Sequence, residues 1–128
     1  MGMTMKKNVL IVDDTLFMRR MLREIIEGSG RFSISGEAEN GKDAVTKFLQ
    51  LHPDLVMMDI VMPDMDGLEA MKKIFEIDRS ASVVMCSVLG QESIVIESIM
   101  QGAKDFIVKP FTKEKVLQTL QGVFQDGQ

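Results

Sequence analysis

The chain has no tryptophan, no tyrosine and one cysteine among its 128 residues. A single thiol cannot close an internal disulfide, which suits a reducing compartment such as the cytoplasm. Without Trp or Tyr, stacking on a nucleobase falls to seven phenylalanines, most of them set in apolar periodic runs. The formal charge of −4 argues against a general nucleic-acid binder, whose phosphate contacts need a basic patch. No apolar run approaches the roughly 18 residues of a membrane span, so no membrane insertion is expected. Residues Met1 to Lys7 include two lysines with no long apolar run behind them, unlike a secretory signal. Low-complexity tracts, internal repeats and blocks of like charge are also missing. What remains is 45% apolar and 27% charged, the profile of one globular domain with a single core.

The order of segments says more. Short Val- and Ile-rich runs alternate with stretches of helical period, which predicts βα units around a parallel sheet. The expected strands are Asn8–Val12, Ser33–Ala38, Asp54–Met58, Ser82–Cys86 and Asp105–Val108. All but the second are nearly continuous in apolar character, as strands covered on both faces should be. The second is more polar and fits an edge. The first helix should run from about Thr15 to Glu27, with Phe17, Met21, Leu22, Ile25 and Ile26 on its buried face and Gly28 as its C-terminal cap. A second, about Gly41 to Leu51, should bury Ala44, Val45, Phe48 and Leu49 before Pro53 stops it. The third should start at a capping Asp66 and bury Leu68, Met71, Ile74 and Phe75. A fourth is expected at about Gln91 to Gln101, and a fifth at about Thr112 to Phe124 burying Val116, Leu117, Leu120 and Phe124. Apolar residues cover more than one side of the fourth, through Ile94, Val95, Ile96, Ile99 and Met100. That pattern means either deep burial or a partner surface.

In an open parallel sheet, ligands bind outside the carboxyl ends of the strands. The first strand ends in Asp13 and Asp14, the third in Asp59, the fourth in Ser87, and the fifth in Lys109 followed by Pro110. Parallel strands joined by right-handed crossovers bring these ends to one edge. Three carboxylates gathered there raise one another's pKa unless a cation compensates them, and carboxylate oxygens with water are what Mg²⁺ accepts. A carboxylate is also a competent nucleophile toward phosphorus. Ser87 and Lys109 supply a hydrogen-bond donor and a positive charge for phosphoryl oxygens. Taken singly, each residue has a plainer use: Asp14 as a helix cap, Lys109 as a solvated loop residue. Four strand ends contributing to one reaction set are harder to dismiss.

With Val9-Leu-Ile-Val-Asp13-Asp14, Asp54-Leu-Val-Met-Met-Asp59-Ile-Val-Met-Pro63-Asp-Met-Asp-Gly67, Cys86-Ser87 and Gly102-Ala-Lys-Asp-Phe-Ile-Val-Lys109-Pro110-Phe111, the chain resembles the receiver domain of two-component response regulators. The likeness spans about residues 8–124 of a receiver domain covering 1–128. It implies an α/β fold, a doubly wound, flavodoxin-like sheet of five parallel strands in order 2-1-3-4-5 with five helices. It further implies Asp59 as phosphoacceptor and Mg²⁺ held by Asp14, Asp59 and the backbone carbonyl of Val61, with Asp13 acting mainly through water. Ser87 and Lys109 would bind the transferred group, Phe106 would be the switch aromatic, and the Lys109–Pro110 bond would be cis. Such a protein is a signalling switch that assists its own phosphorylation and dephosphorylation. Its phosphodonor is a sensor histidine kinase, and its α4-β5-α5 surface reads out to a partner.

Phe17-Met18-Arg19 and Cys86-Ser87-Val88-Leu89-Gly90-Gln91 look closest to chemotaxis regulators of the CheY type, whose target is a flagellar motor switch protein. The alternatives are a receiver serving another phosphorelay or a transcriptional regulator, an aspartyl-phosphate phosphatase suggested by Asp64-Met-Asp-Gly67, and a flavodoxin-like cofactor module. Two departures from the family pattern stand out. Val88 replaces a small residue and, with Leu89 and Val61, should exclude water and slow hydrolysis of the phosphoryl group. Phe106 lacks the hydroxyl of a tyrosine. His52 should be a loop or helix-end residue, roughly 16 Å from Asp59 across the third strand. Cys86 should be a buried, inert thiol.

Overall fold

The computed structural model describes residues 6–126. Residues 1–5, on which part of the leader argument rests, lie outside the described residues. Five strands, β1 (Lys7–Val12), β2 (Phe32–Ala38), β3 (Leu55–Met58), β4 (Val83–Ser87) and β5 (Asp105–Val108), alternate with five helices. These are α1 (Leu16–Gly28), α2 (Gly41–Leu51), α3 (Gly67–Ile77), α4 (Glu92–Met100) and α5 (Lys113–Asp126). All pairings are parallel and the order is β2-β1-β3-β4-β5. The expected flavodoxin-like topology is therefore the observed one.

Side chains of successive strand residues point to opposite faces, and the core divides accordingly. Leu10, Val12, Val56, Met58, Val83 and Met85 face a cluster completed by Ala44 and Phe48 of α2 and Ala70, Met71 and Ile74 of α3. Val9, Ile11, Leu55, Met57, Val84 and Cys86 face the other, completed by Leu22 and Ile26 of α1 and Val116 and Leu120 of α5. Each fully buried aliphatic side chain contributes about 1.5–3 kcal/mol through water exclusion. The polar β2 lies at an edge, as its composition indicates.

Three caps set the helix starts. Thr15 Oγ1 accepts from Met18 N at 3.3 Å, Asn40 Oδ1 from Asp43 N at 2.8 Å, and Asp66 Oδ1 from Glu69 N at 2.8 Å. The cap of α1 is thus Thr15 and not Asp14. At its other end, Gly28 is still helical; the left-handed residue is Gly30, φ +74°, whose amide donates to Glu27 O. α1 therefore runs further than its glycine suggests. Two residues assigned to buried faces are exposed, Phe17 at 71% and Leu49 at 56%. Both lie at the margins of broad apolar stripes, where a helix turns away from the sheet. On α4, Ile94 and Val95 pack on the core, whereas Ile96, Ile99 and Met100 are exposed. Deep burial does not account for that apolar side.

Candidate functional site

Register places the polar residues. Val12, Met58 and Met85 are paired across β1, β3 and β4, and Met85 pairs in turn with Phe106 of β5. One residue beyond that row come Asp13 and Asp59; two beyond comes Ser87, and three beyond comes Lys109. Backbone bonds extend the sheet into this edge: Asp13 N donates to Ala38 O at 3.1 Å, Asp59 N to Val12 O at 3.0 Å, and Lys109 N to Ser87 O at 2.9 Å. The strand ends β1 and β3 flank the point where chain order reverses, the ordinary place for a ligand in this architecture.

The predicted residues do converge. Carboxylate oxygens of Asp13, Asp14 and Asp59 lie within 4.8 Å of one another. Asp13 and Asp59 are buried, while Asp14 is exposed at the mouth. Lys109 Nζ donates to Asp13 Oδ2 at 2.6 Å and to Asp59 Oδ2 at 3.1 Å. Asp59 Oδ1 also accepts from Val61 N at 3.3 Å. Ser87 is fully buried, its Oγ accepting from Leu89 N at 3.2 Å. The Lys109–Pro110 bond is cis. Phe106 is buried in the cluster shared with Met85 and Ala103. Val61 and Val88 are exposed and Leu89 is half-buried.

The charges oppose one another. Burial lifts the Asp59 carboxyl above its ordinary range; Lys109 pulls it back, Asp13 adds to the push, and the net direction is up. Burial would lower Lys109, but the Asp13 hydrogen bond and the charges of both aspartates outweigh it and hold the ammonium above its usual range. Lys109 is therefore charged throughout the neutral range. Cys86, facing the core, is pushed up to about 12 mainly by burial, the signature of an inert thiol.

Close packing behind the pocket explains Gly67. A Cβ there would sit 2.0 Å from the Asp59 carbonyl oxygen, so only glycine lets α3 start against the Asp59 loop. Its amide donates to Ile60 O at 2.8 Å. Sequence reasoning left this position without a role. It also missed Thr15, whose N and Oγ1 both donate to Asp13 Oδ1, at 2.9 and 3.0 Å. A hydroxyl two residues after a strand-end aspartate is the signal that could have found it.

The family model for the response regulator receiver domain matches residues 9–121. The chain belongs to that family. This receiver is 52% identical over 119 residues to the chemotaxis protein CheY of Thermotoga maritima, covering 93% of this chain and 98% of that protein. It is also 52% identical over 116 residues to CheY of Bacillus subtilis, covering 91% and 96%. A solved CheX–CheY–BeF3–Mg complex from Borrelia burgdorferi contains a chain 43% identical to this one, with TM-score 0.88, covering 92% of this receiver and 89% of that chain. The receiver is thus a CheY-like response regulator domain, the class of signalling protein its strand-end residues suggest. Its acidic pocket has the composition of a metal site. Among the described residues, no helix is long and apolar enough to cross a membrane.

Proposed function

We propose that Asp59 is the phosphoacceptor of this CheY-like receiver and that a sensor histidine kinase is its donor. The observation that carries the reading is a buried carboxylate that shares the half-buried Lys109 ammonium, 3.1 Å away, with the neighbouring Asp13. An Asp59 oxygen forms the new bond to phosphorus as the bond to the donor's imidazole nitrogen breaks, its electron pair staying with that nitrogen. The receiver's own His52 is unsuited as donor, because it caps α2 before β3 whereas Asp59 follows β3. Lys109 stays protonated and moves with the transferred oxygens. Ser87 Oγ accepts from Leu89 N, which leaves its O–H to donate to a phosphoryl oxygen.

Asp13, Asp14 and Asp59 form an all-oxygen donor set that fits Mg²⁺, which the backbone carbonyl of Val61 would complete. The fit is chemical: hard oxygens, close enough to share one small ion, in a pocket where burial already penalises charge on Asp59. When bound, Mg²⁺ neutralises charge on the phosphoryl oxygens.

The phosphoryl group carries roughly two negative charges at neutral pH, in place of the single charge of the carboxylate. Ser87 and Lys109 draw their loops toward that charge and bias the packing of Phe106, the bistable element a switch needs. The output surface is α4-β5-α5, where Ile96, Ile99, Met100 and Val108 are exposed. Its reader is a downstream chemotaxis protein such as a flagellar motor switch component, and the location is cytoplasmic. The test is intact mass after incubation with acetyl phosphate and Mg²⁺. The wild type should gain one phosphoryl group and Asp59→Asn none; equal labelling of both would refute the assignment.

A further inference from the structure

Asp13 is gripped through its backbone as well as its carboxylate. Its carbonyl accepts from Arg19 Nη1 at 2.8 Å, and the same guanidinium donates through Nε to Glu37 Oε1 at 2.9 Å. Glu37 lies in β2 next to Ala38, whose carbonyl takes the Asp13 amide. Arg19 therefore closes a ring that ties the end of β1 to the end of β2. Glu37 is fixed in turn: its Oε2 accepts from Arg23 Nε at 2.8 Å, and its carbonyl accepts from Lys47 Nζ. The Arg19 side chain is only 12% exposed, so this pair is shielded in a way open-surface ion pairs are not. Burial would raise the Glu37 carboxyl, yet the bonds and charges of Arg23 and Arg19 hold it below its ordinary value.

The geometry has an electrostatic side. A bare guanidinium bonded to the Asp13 carbonyl would oppose a cation in the adjacent pocket. Paired with Glu37, Arg19 can hold the backbone while carrying little net charge into the site. We propose that Arg19, neutralised by Glu37, is a positioning residue for the cation pocket, fixing the Asp13 carbonyl so that Asp13 and Asp14 converge on Asp59. This rests on the reading that the pocket binds a divalent ion.

The test is calorimetric titration of the unphosphorylated full chain with Mg²⁺ at low and high salt, with thermal melts to confirm folding. Arg19→Gln should bind about 10-fold more weakly, the usual cost of removing an outer-shell partner. Arg19→Lys should do no better, since an ammonium lacks the rigid fork that reaches both acceptors. Glu37→Gln should lose less, and its loss should shrink at high salt as the unpaired Arg19 charge is screened. Arg23→Gln removes only the outer arm and should keep wild-type affinity. Wild-type affinity in Arg19→Gln would overturn the inference, as would equal losses in Arg19→Gln and Arg23→Gln or full recovery in Arg19→Lys. A wild type that binds no Mg²⁺ would instead bring down the cation reading, and the inference with it.

Discussion

The body of the sheet and its carboxyl edge are built on different physics. In the body, Val9 to Val12, Leu55 to Met58 and Val83 to Cys86 are buried and apolar, sandwiched between helices. Stability there is spread over many contacts, each individually small. One or two residues further on, the same strands carry Asp13, Asp59 and Ser87, also buried, with Lys109 beside them. At the edge each group depends on a few named atoms. The body tolerates change by degrees, whereas the edge should fail at single positions.

The sharpest way to break that comparison is Gly67→Ala. Its Cβ would meet the Asp59 carbonyl at 2.0 Å, so either α3 or the Asp59 loop must shift. A cost of about 3 kcal/mol in urea unfolding is expected, the upper end for overpacking, together with loss of acetyl phosphate labelling. A variant that unfolds and labels like wild type would show the edge to be as forgiving as the body.

Val88→Ala probes the rim. Val88 is 64% exposed and flanked by Leu89, with Val61 also at the surface. If these side chains keep water from the phosphoryl group, the lifetime of phosphorylated protein should shorten about fivefold, ~1 kcal/mol in barrier. A decay constant that is unchanged or slower would refute the shielding role.

The Glu37 network gives a smaller effect with a defined pH sign. Its folded carboxyl sits below the ordinary value of 4.5. The stability it contributes is therefore fully present above that value and is lost as pH falls through the folded pKa. The difference in urea midpoint between wild type and Glu37→Gln should be largest at neutral pH and close on acidification. A gap that widens in acid would reverse the assignment. Smallest of all, Gly28→Ala places a methyl where nothing lies within 4 Å, in a helical residue. It should stabilise the protein by about 0.5 kcal/mol through reduced unfolded-state freedom, and a cost as large as that of Gly67→Ala would erase the contrast.

The strands and most helix faces were legible because buried parallel strands leave continuous apolar runs and helices leave a 3.6-residue stripe, whereas the strand order came from the family resemblance. The candidate site was legible from the joint pattern: any one polar residue at a strand end could cap a helix, but four strand ends supply members of one reaction set. What escaped was relational. Phe17 and Leu49 satisfy helical periodicity, but exposure depends on where each helix leaves the sheet. Gly28 looks like a cap until Ser29 and Gly30 extend the end of α1, with Ser29 Oγ bonded to Ile26 O and the Gly30 amide to Glu27 O. Arg19 and Glu37 lie 18 residues apart, and nothing in either segment states that they meet. Gly67 looks like a turn residue, because no pattern in one segment reports how closely another backbone approaches.

The central claim is that Asp59 accepts a phosphoryl group because the carboxylates around it are compensated by a divalent ion. Its most direct test is peptide mapping of the labelled protein by borohydride trapping, after acetyl phosphate treatment with Mg²⁺ or with chelator. Label confined to Asp59 and abolished by the chelator is the expected result. Label on another residue, or equal labelling without the metal, would contradict it.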